Sequence, residues 1–141
     1  MIICGIELKG NDANLALLEV NDSQCSYVDI EPKRISLNDD ESNDDVIKFY
    51  DAISGYFRDN HVNLIAIKKR NKKGQYAGGS VTFKIEGLIQ HCSQCEIEFL
   101  AAQTISAAHK KYNFTIPGNV NKSQEQAYLT GCCAHMRRKK D

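Results

Sequence analysis

No apolar run in this chain approaches the roughly 18 residues that a membrane span requires, so no helical span is expected. The stretch from Met1 to Glu7 has no basic start, no long apolar middle and no small-residue cleavage site, and it does not read as a secretory signal. A nucleophile elbow, a phosphate-binding P-loop and a dinucleotide fingerprint are also missing. With them go the enzyme classes that depend on a strained serine turn or a glycine-rich phosphate cradle. There is no internal repeat, and low complexity is confined to one acidic run, Asn38 to Asp45. The expectation is a soluble, cytoplasmic protein.

What is present suits a single globular domain spanning residues 1–141. A chain of this length buries about two-thirds of the surface it exposes when unfolded, enough for a proper core. A hydrophobic content of 42% with 26% charged residues excludes a disordered or fibrous chain. Six cysteines raise the possibility of a disulfide scaffold. Such scaffolds are small, loop-rich and secreted, whereas this sequence has marked strand and helix periodicity. Reduced thiols are the better reading.

The zero formal net charge conceals a division. Through Asn60 the chain carries 13 acidic and 5 basic side chains; from His61 onward it carries 5 and 13. Asymmetry of this kind suits a basic face that meets an anion such as nucleic acid, or else two solvated faces with an acidic loop in one.

Ile2 to Leu8 is apolar almost throughout, as expected of a strand buried on both sheet faces. The turn residues Lys9 to Asp12 and the apolar Asn14 to Val20 predict a hairpin. A third strand is expected between Ser26 and Leu37, with its regularity limited by Pro32. Ser42 or Asn43 can cap a helix whose apolar face is Val46, Phe49, Tyr50, Ile53 and Phe57. Asn63 to Ile67 predicts a strand parallel to the first, reached by a helical crossover. Val81, Ile85, Leu88, Ile89 and Cys92 mark a second helix, although Val81 to Ile85 also fits a strand. Glu96 to Leu100 predicts the fifth strand, and helices are expected at Thr104 to Tyr112 and Asn121 to Arg138. The sum is an α/β fold, a mixed five-stranded sheet with helices on both faces.

Three segments carry a resemblance. Ile3-Cys4-Gly5-Ile6-Glu7 resembles a first strand ending in Gly-Ile-Asp. Leu64-Ile65-Ala66-Ile67-Lys68 resembles a fourth strand ending in Ile-Glu, and Lys122-Ser123-Gln124-Glu125-Gln126 is similar to a Lys-Ser-Gln-Val-Gln helix start. Together with the element order they resemble the RNase H-like superfamily, in its RuvC-type Holliday junction resolvase branch. The chain also resembles a bacterial family of short, uncharacterised proteins.

The resemblance implies carboxylates around two magnesium or manganese ions that activate water and stabilise the leaving oxygen. These ions need hard oxygen ligands. Glu7 suits the first position, one methylene longer than the usual aspartate. Lys68 stands at the second, where an ammonium repels a dication. Glu125 is the one acid near the third. The alternative for Glu7 and Lys68 is an ion pair between neighbouring strand ends.

Lys68, Lys69, Arg70, Lys72 and Lys73, followed by Tyr76, form a basic loop beside these strand ends. It suits phosphate contact, with Tyr76 stacking on a base and Lys122 adding charge nearby; the bland alternative is a solvated connector. The tail Arg137 to Lys140 carries the same two readings. Cys92 and Cys95, with Cys132 and His135, are candidate zinc ligands if the ends of two helices approach one another. Their alternative is ordinary core packing. His61 and His109 have no evident catalytic partner in the sequence.

Three functions therefore remain open: a nucleic-acid-binding module, for DNA or RNA, with a degenerate nuclease site; a divalent-metal-dependent nuclease using Glu7 and Glu125; and a small interaction or dimerisation domain.

Overall fold

The most apolar segment becomes the centre of the sheet. Strand β1 (Ile2–Lys9) pairs antiparallel with β2 (Asp12–Asn21) across a tight turn, with Gly10 at a positive φ of 60°. On its other side β1 pairs parallel with β5 (Leu64–Lys68), which pairs parallel with β6 (Glu96–Leu100). The computed structural model describes residues 1–70, 79–92 and 94–139.

The expected third strand divides in two. Strands β3 (Gln24–Val28) and β4 (Arg34–Ser36) both lie along the outer edge of β2, one pairing with Leu17 to Asn21 and the other with Asp12 to Asn14. The break contains Pro32, which has no N–H to donate to a ladder. The sheet is thus six-stranded, with the order β3-β2-β1-β5-β6 and β4 beside β3 on the edge of β2.

Four helices among the described residues cover it. Helix α1 (Asn43–Asp59) starts where Ser42 accepts a hydrogen bond from the Asp45 amide at 3.3 Å, and Asp44 and Asp45 face the positive end of its dipole. Helix α2 (Ser80–Gln90) resolves the ambiguity at Val81 to Ile85 in favour of helix. Both pack on one sheet face, where Phe49, Ile53, Phe57, Ile85 and Ile89 meet Cys4, Ile6, Ile65 and Ile67. Each fully buried phenylalanine or isoleucine there contributes about 1.5–3 kcal/mol.

Helices α3 (Ala102–Tyr112) and α4 (Glu125–Lys139) cover the other face, with a short 3-10 turn (Lys122–Gln124) leading into α4. Nine consecutive α4 residues, Ala127 to His135, are buried, so this helix has no amphipathic stripe. Its small residues permit the enclosure. A Cβ on Gly5 would run into the carbonyl oxygen of Ala127, and one on Gly131 into the Leu18 side chain. Two glycines thus let α4 lie directly on β1 and β2.

Candidate functional site

Side chains alternate between the faces of a strand. In β1, Cys4, Ile6 and Leu8 face the α1/α2 core while Ile3 faces the α3/α4 core; Gly5 and Glu7 follow Ile3. In β5, Ile65 and Ile67 face the first core and Leu64 and Ala66 the second, which sets Lys68 on the α4 side. Parallel pairing brings the carboxyl ends of both strands together. Lys68 Nζ lies 3.6 Å from Glu7 Oε2, and both side chains are under a quarter exposed. The ammonium also donates to Gln126 Oε1 on the first turn of α4 at 3.0 Å.

Asn14 sits opposite Glu7 in the β1–β2 register and is buried. Its Oδ1 has no hydrogen-bond partner among the described residues. Gln124, from the turn before α4, is also buried; its amide donates to the Leu15 carbonyl at 2.8 Å and its oxygen accepts from the Asn121 amide at 2.9 Å. The segment that resembles the resolvase helix start is thus locked to β2 by Gln124 and to Lys68 by Gln126. Asn14, Gln124 and Gln126 are the site residues that sequence reasoning did not single out. The only signal for the glutamines was their place in that short segment.

Glu125 is half-buried in the first turn of α4, and its side chain makes no hydrogen bond or ion pair among the described residues. Among the described residues no three His, Cys, Asp or Glu side chains gather into a group that could hold a metal ion. Among the described residues the set at the strand ends is the Glu7 carboxylate, the Lys68 ammonium and the amides of Asn14, Gln124 and Gln126. It does not fit a pair of divalent cations, which need several hard anionic oxygens and no adjacent positive charge.

The remaining candidates are dispersed. Lys69 and Lys122 are exposed. Arg70 is turned inward: its side chain is 8% exposed, forms an ion pair with Glu86 at 3.1 Å, and lies over the Phe83 ring. Lys72, Lys73 and Tyr76 lie outside the described residues. Arg137 and Arg138 are engaged with Glu98 and Glu96 on β6.

The four zinc candidates are not brought together. Cys92 and Cys95 belong to the core under α1 and α2, Cys132 to the core under α3 and α4, and the sheet stands between them. The helix ends approach opposite faces, which corrects the expectation that they meet. Burial pushes the Cys92 thiol up to about 11 and raises Cys95 as well. A hydrogen bond to Cys25, with burial, pushes Cys132 up, while the same contact holds Cys25 below the ordinary thiol range. His135 is lowered chiefly by burial, with Lys139 adding to it. Of the other histidines, His109 stacks on Phe114, and its Nδ1 is buried without a hydrogen-bond partner among the described residues.

The architecture is shared with solved resolvases. A Thermus thermophilus RuvC structure superposes with a TM-score of 0.76 at 9% identity, covering 99% of this chain and 97% of that one. T. thermophilus RuvC in complex with a Holliday junction substrate gives 0.69 at 10% identity, with 99% and 96% covered. The Fowlpox virus resolvase in complex with Holliday junction DNA gives 0.56 at 11% identity, with 98% and 99% covered. At such identities the likeness is one of fold, the RNase H-like fold of these resolvases. No helix among the described residues is long and apolar enough to cross a membrane. No curated protein matches the sequence. The family profile of DUF3010, described as protein of unknown function, matches residues 1–134, and the chain belongs to that family.

Proposed function

We propose that this chain is a nucleic-acid-binding module of RNase H-like fold whose nuclease site has been replaced by an ion pair. The observation that carries this reading is Lys68 Nζ at 3.6 Å from Glu7 Oε2. Were a divalent ion held at Glu7, this ammonium would stand beside it, and like charges at such distances in a half-buried site cost several kcal/mol even at an effective dielectric near 20. Gln126 holds the ammonium in place from the helix. The charge that metal ions would supply toward a phosphodiester is here supplied, in part, by a lysine, which can bind the backbone without activating water.

Two of the similar structures contain Holliday junction DNA, and ligands of open α/β sheets lie at the carboxyl ends of the strands. Lys68, Lys69 and Lys122 lie on or beside that end of this chain, and the sequence adds Lys72, Lys73 and Tyr76. Arg70 is held against α2 by Glu86.

The test is fluorescence anisotropy with labelled four-way junction, duplex and single-stranded DNA and with RNA, across a salt series. Binding that weakens steeply with salt, and is reduced by Lys69→Ala combined with Lys72→Ala and Lys73→Ala, is the expected result. Incubation of the junction with magnesium or manganese is expected to leave it uncut. Absence of binding to every probe at low salt would instead favour an interaction domain, and metal-dependent cleavage would restore the nuclease reading with Glu7 and Glu125.

A further inference from the structure

On the side of the sheet opposite Glu7 and Lys68, where β5 gives way to the segment leading toward α2, lies a cleft of about 610 Å³. Lys69, Arg70, Glu86, Gln90 and Phe99 line it. Arg70 is its fixed point. The guanidinium Nη2 donates to Glu86 Oε1 at 3.2 Å, Nε lies 3.1 Å from Oε2, and the central carbon stands 3.2 Å from the centre of the Phe83 ring. Glu86 thus lies along one edge of the fork, taking a hydrogen bond from Nη2 alone, and Phe83 lies against one face. Nη1 and Nε are both shielded from water and have no hydrogen-bond partner among the described residues, Nε keeping only its ion-pair distance to Glu86. A buried ionised donor without an acceptor is costly, and a ligand that brings an anionic oxygen removes that cost.

Two further features indicate what such a ligand carries. Among the described residues Lys69 and Arg70 face a single carboxylate in the cleft, Glu86, so their summed charge is positive. Phe83 is 44% exposed although the guanidinium covers part of its ring, and it is the one exposed phenylalanine or tyrosine among the described residues. Phe83, Glu86 and Gln90 follow one another at helical spacing on α2, so the ring adjoins the cleft. Arginine fixed on a carboxylate is preorganised for a phosphate oxygen, and an exposed ring stacks on any base.

We propose that this cleft binds an unpaired nucleotide of a nucleic-acid strand. Its phosphate accepts hydrogen bonds from Arg70 Nη1 and Lys69, and its base stacks on the open part of the Phe83 ring. Glu86 is a positioning residue that holds the fork. This rests on the nucleic-acid reading above and deepens it by adding a single-strand seat on the α2 side of the sheet.

The experiment uses the full chain and a single-stranded oligonucleotide carrying 2-aminopurine and a terminal fluorescein. Anisotropy reports association, and 2-aminopurine emission reports stacking in the same sample. Phe83→Leu keeps an apolar side chain but removes the ring; it is expected to weaken single-strand binding about 5- to 100-fold and to abolish the emission change on binding. Arg70→Lys keeps the charge but removes the fork, and is expected to weaken binding in the same direction. Duplex binding is expected to hold for Phe83→Leu. If the wild type binds and its emission change survives Phe83→Leu, this proposal is overturned while nucleic-acid binding stands. If the wild type shows no anisotropy change with any strand, both readings fall. An equal loss on single-strand and duplex probes, with an unchanged thermal melt, also overturns the seat. Because Phe83 is outside the buried core, that variant keeps the test independent of any folding defect in Arg70→Lys.

Discussion

Lys68 and Glu7 are 61 residues apart in sequence, yet their charged atoms lie 3.6 Å apart at the ends of two parallel strands. The lysine is further held by Gln126, on a helix that starts near the end of the chain. Three elements thus converge on one ammonium. The position to which the resolvase resemblance assigns an acid holds this ammonium, between Glu7 and Gln126.

Replacing Lys68 tests that arrangement directly. Lys68→Gln is expected to change stability by no more than about 1 kcal/mol, since ion pairs near a surface contribute about 0–1 kcal/mol. Lys68→Glu is expected to place a second carboxylate beside Glu7 and to raise manganese affinity above that of the wild type. Titration calorimetry with manganese reads this. Equal manganese affinity in wild type and variant would remove the blocking role assigned to the lysine.

The tight seat of α4 on β1 makes a stability prediction. In Gly5→Ala the new methyl meets the backbone of Ala127, which cannot rotate away; in Gly131→Ala it meets the tip of Leu18. Overpacking costs about 1–3 kcal/mol, and Gly5→Ala is expected at the upper end and above Gly131→Ala. Urea denaturation of both variants measures the order. A Gly5→Ala protein as stable as wild type would mean that α4 does not lie this close.

His135 predicts a pH dependence. Burial and Lys139 lower its folded pKa beneath the ordinary value of 6.5, while a contact with the Ser23 backbone opposes them. The unfolded chain then binds a proton that the folded one resists, so stability rises with pH in this window. The contribution is complete above pH 6.5 and is lost as pH falls from there through the lower folded value. Thermal melts of wild type and His135→Gln between pH 5 and 8 are expected to show a shallower slope in the variant. Parallel curves would exclude His135 as the source.

Thiol reactivity should rank by environment. Cys25 is half-buried and held below the ordinary thiol range by its contact with Cys132, whereas Cys95 is raised and Cys4 is fully buried. Thiolate is the reactive form. Brief iodoacetamide treatment followed by peptide mass spectrometry is expected to label Cys25 first and Cys4 last. Cys132→Ala is expected to slow Cys25 labelling at neutral pH. Earlier labelling of Cys95 than of Cys25 would contradict the ranking.

Much of the architecture was readable from local pattern. The apolar run Ile2 to Leu8 had to be a strand covered on both faces, and the spacing of Phe49, Ile53 and Phe57 had to be one side of a helix. The turn at Gly10 and the cap at Ser42 are also local events, because their hydrogen bonds close within a few residues. Even the Glu7–Lys68 pair was accessible as an alternative, since a parallel crossover brings two strand ends together. The division of the third strand was only half visible: Pro32 signalled a break, but nothing local said that both pieces would return to β2.

Periodicity alone determined which residues are strand, which are helix, and which side of each is apolar, because those preferences are set by neighbours within one turn or one pleat. Only the tertiary structure decided what faces what. It put Cys92 and Cys132 on opposite sides of the sheet and turned Arg70 onto Glu86 16 residues away, and it brought Gln126 across 58 residues to Lys68. Such partners are chosen by the packing of whole elements, α4 above all. Its buried circumference carries no stripe from which an orientation could be read, and it is placed by the close approach that Gly5 and Gly131 allow.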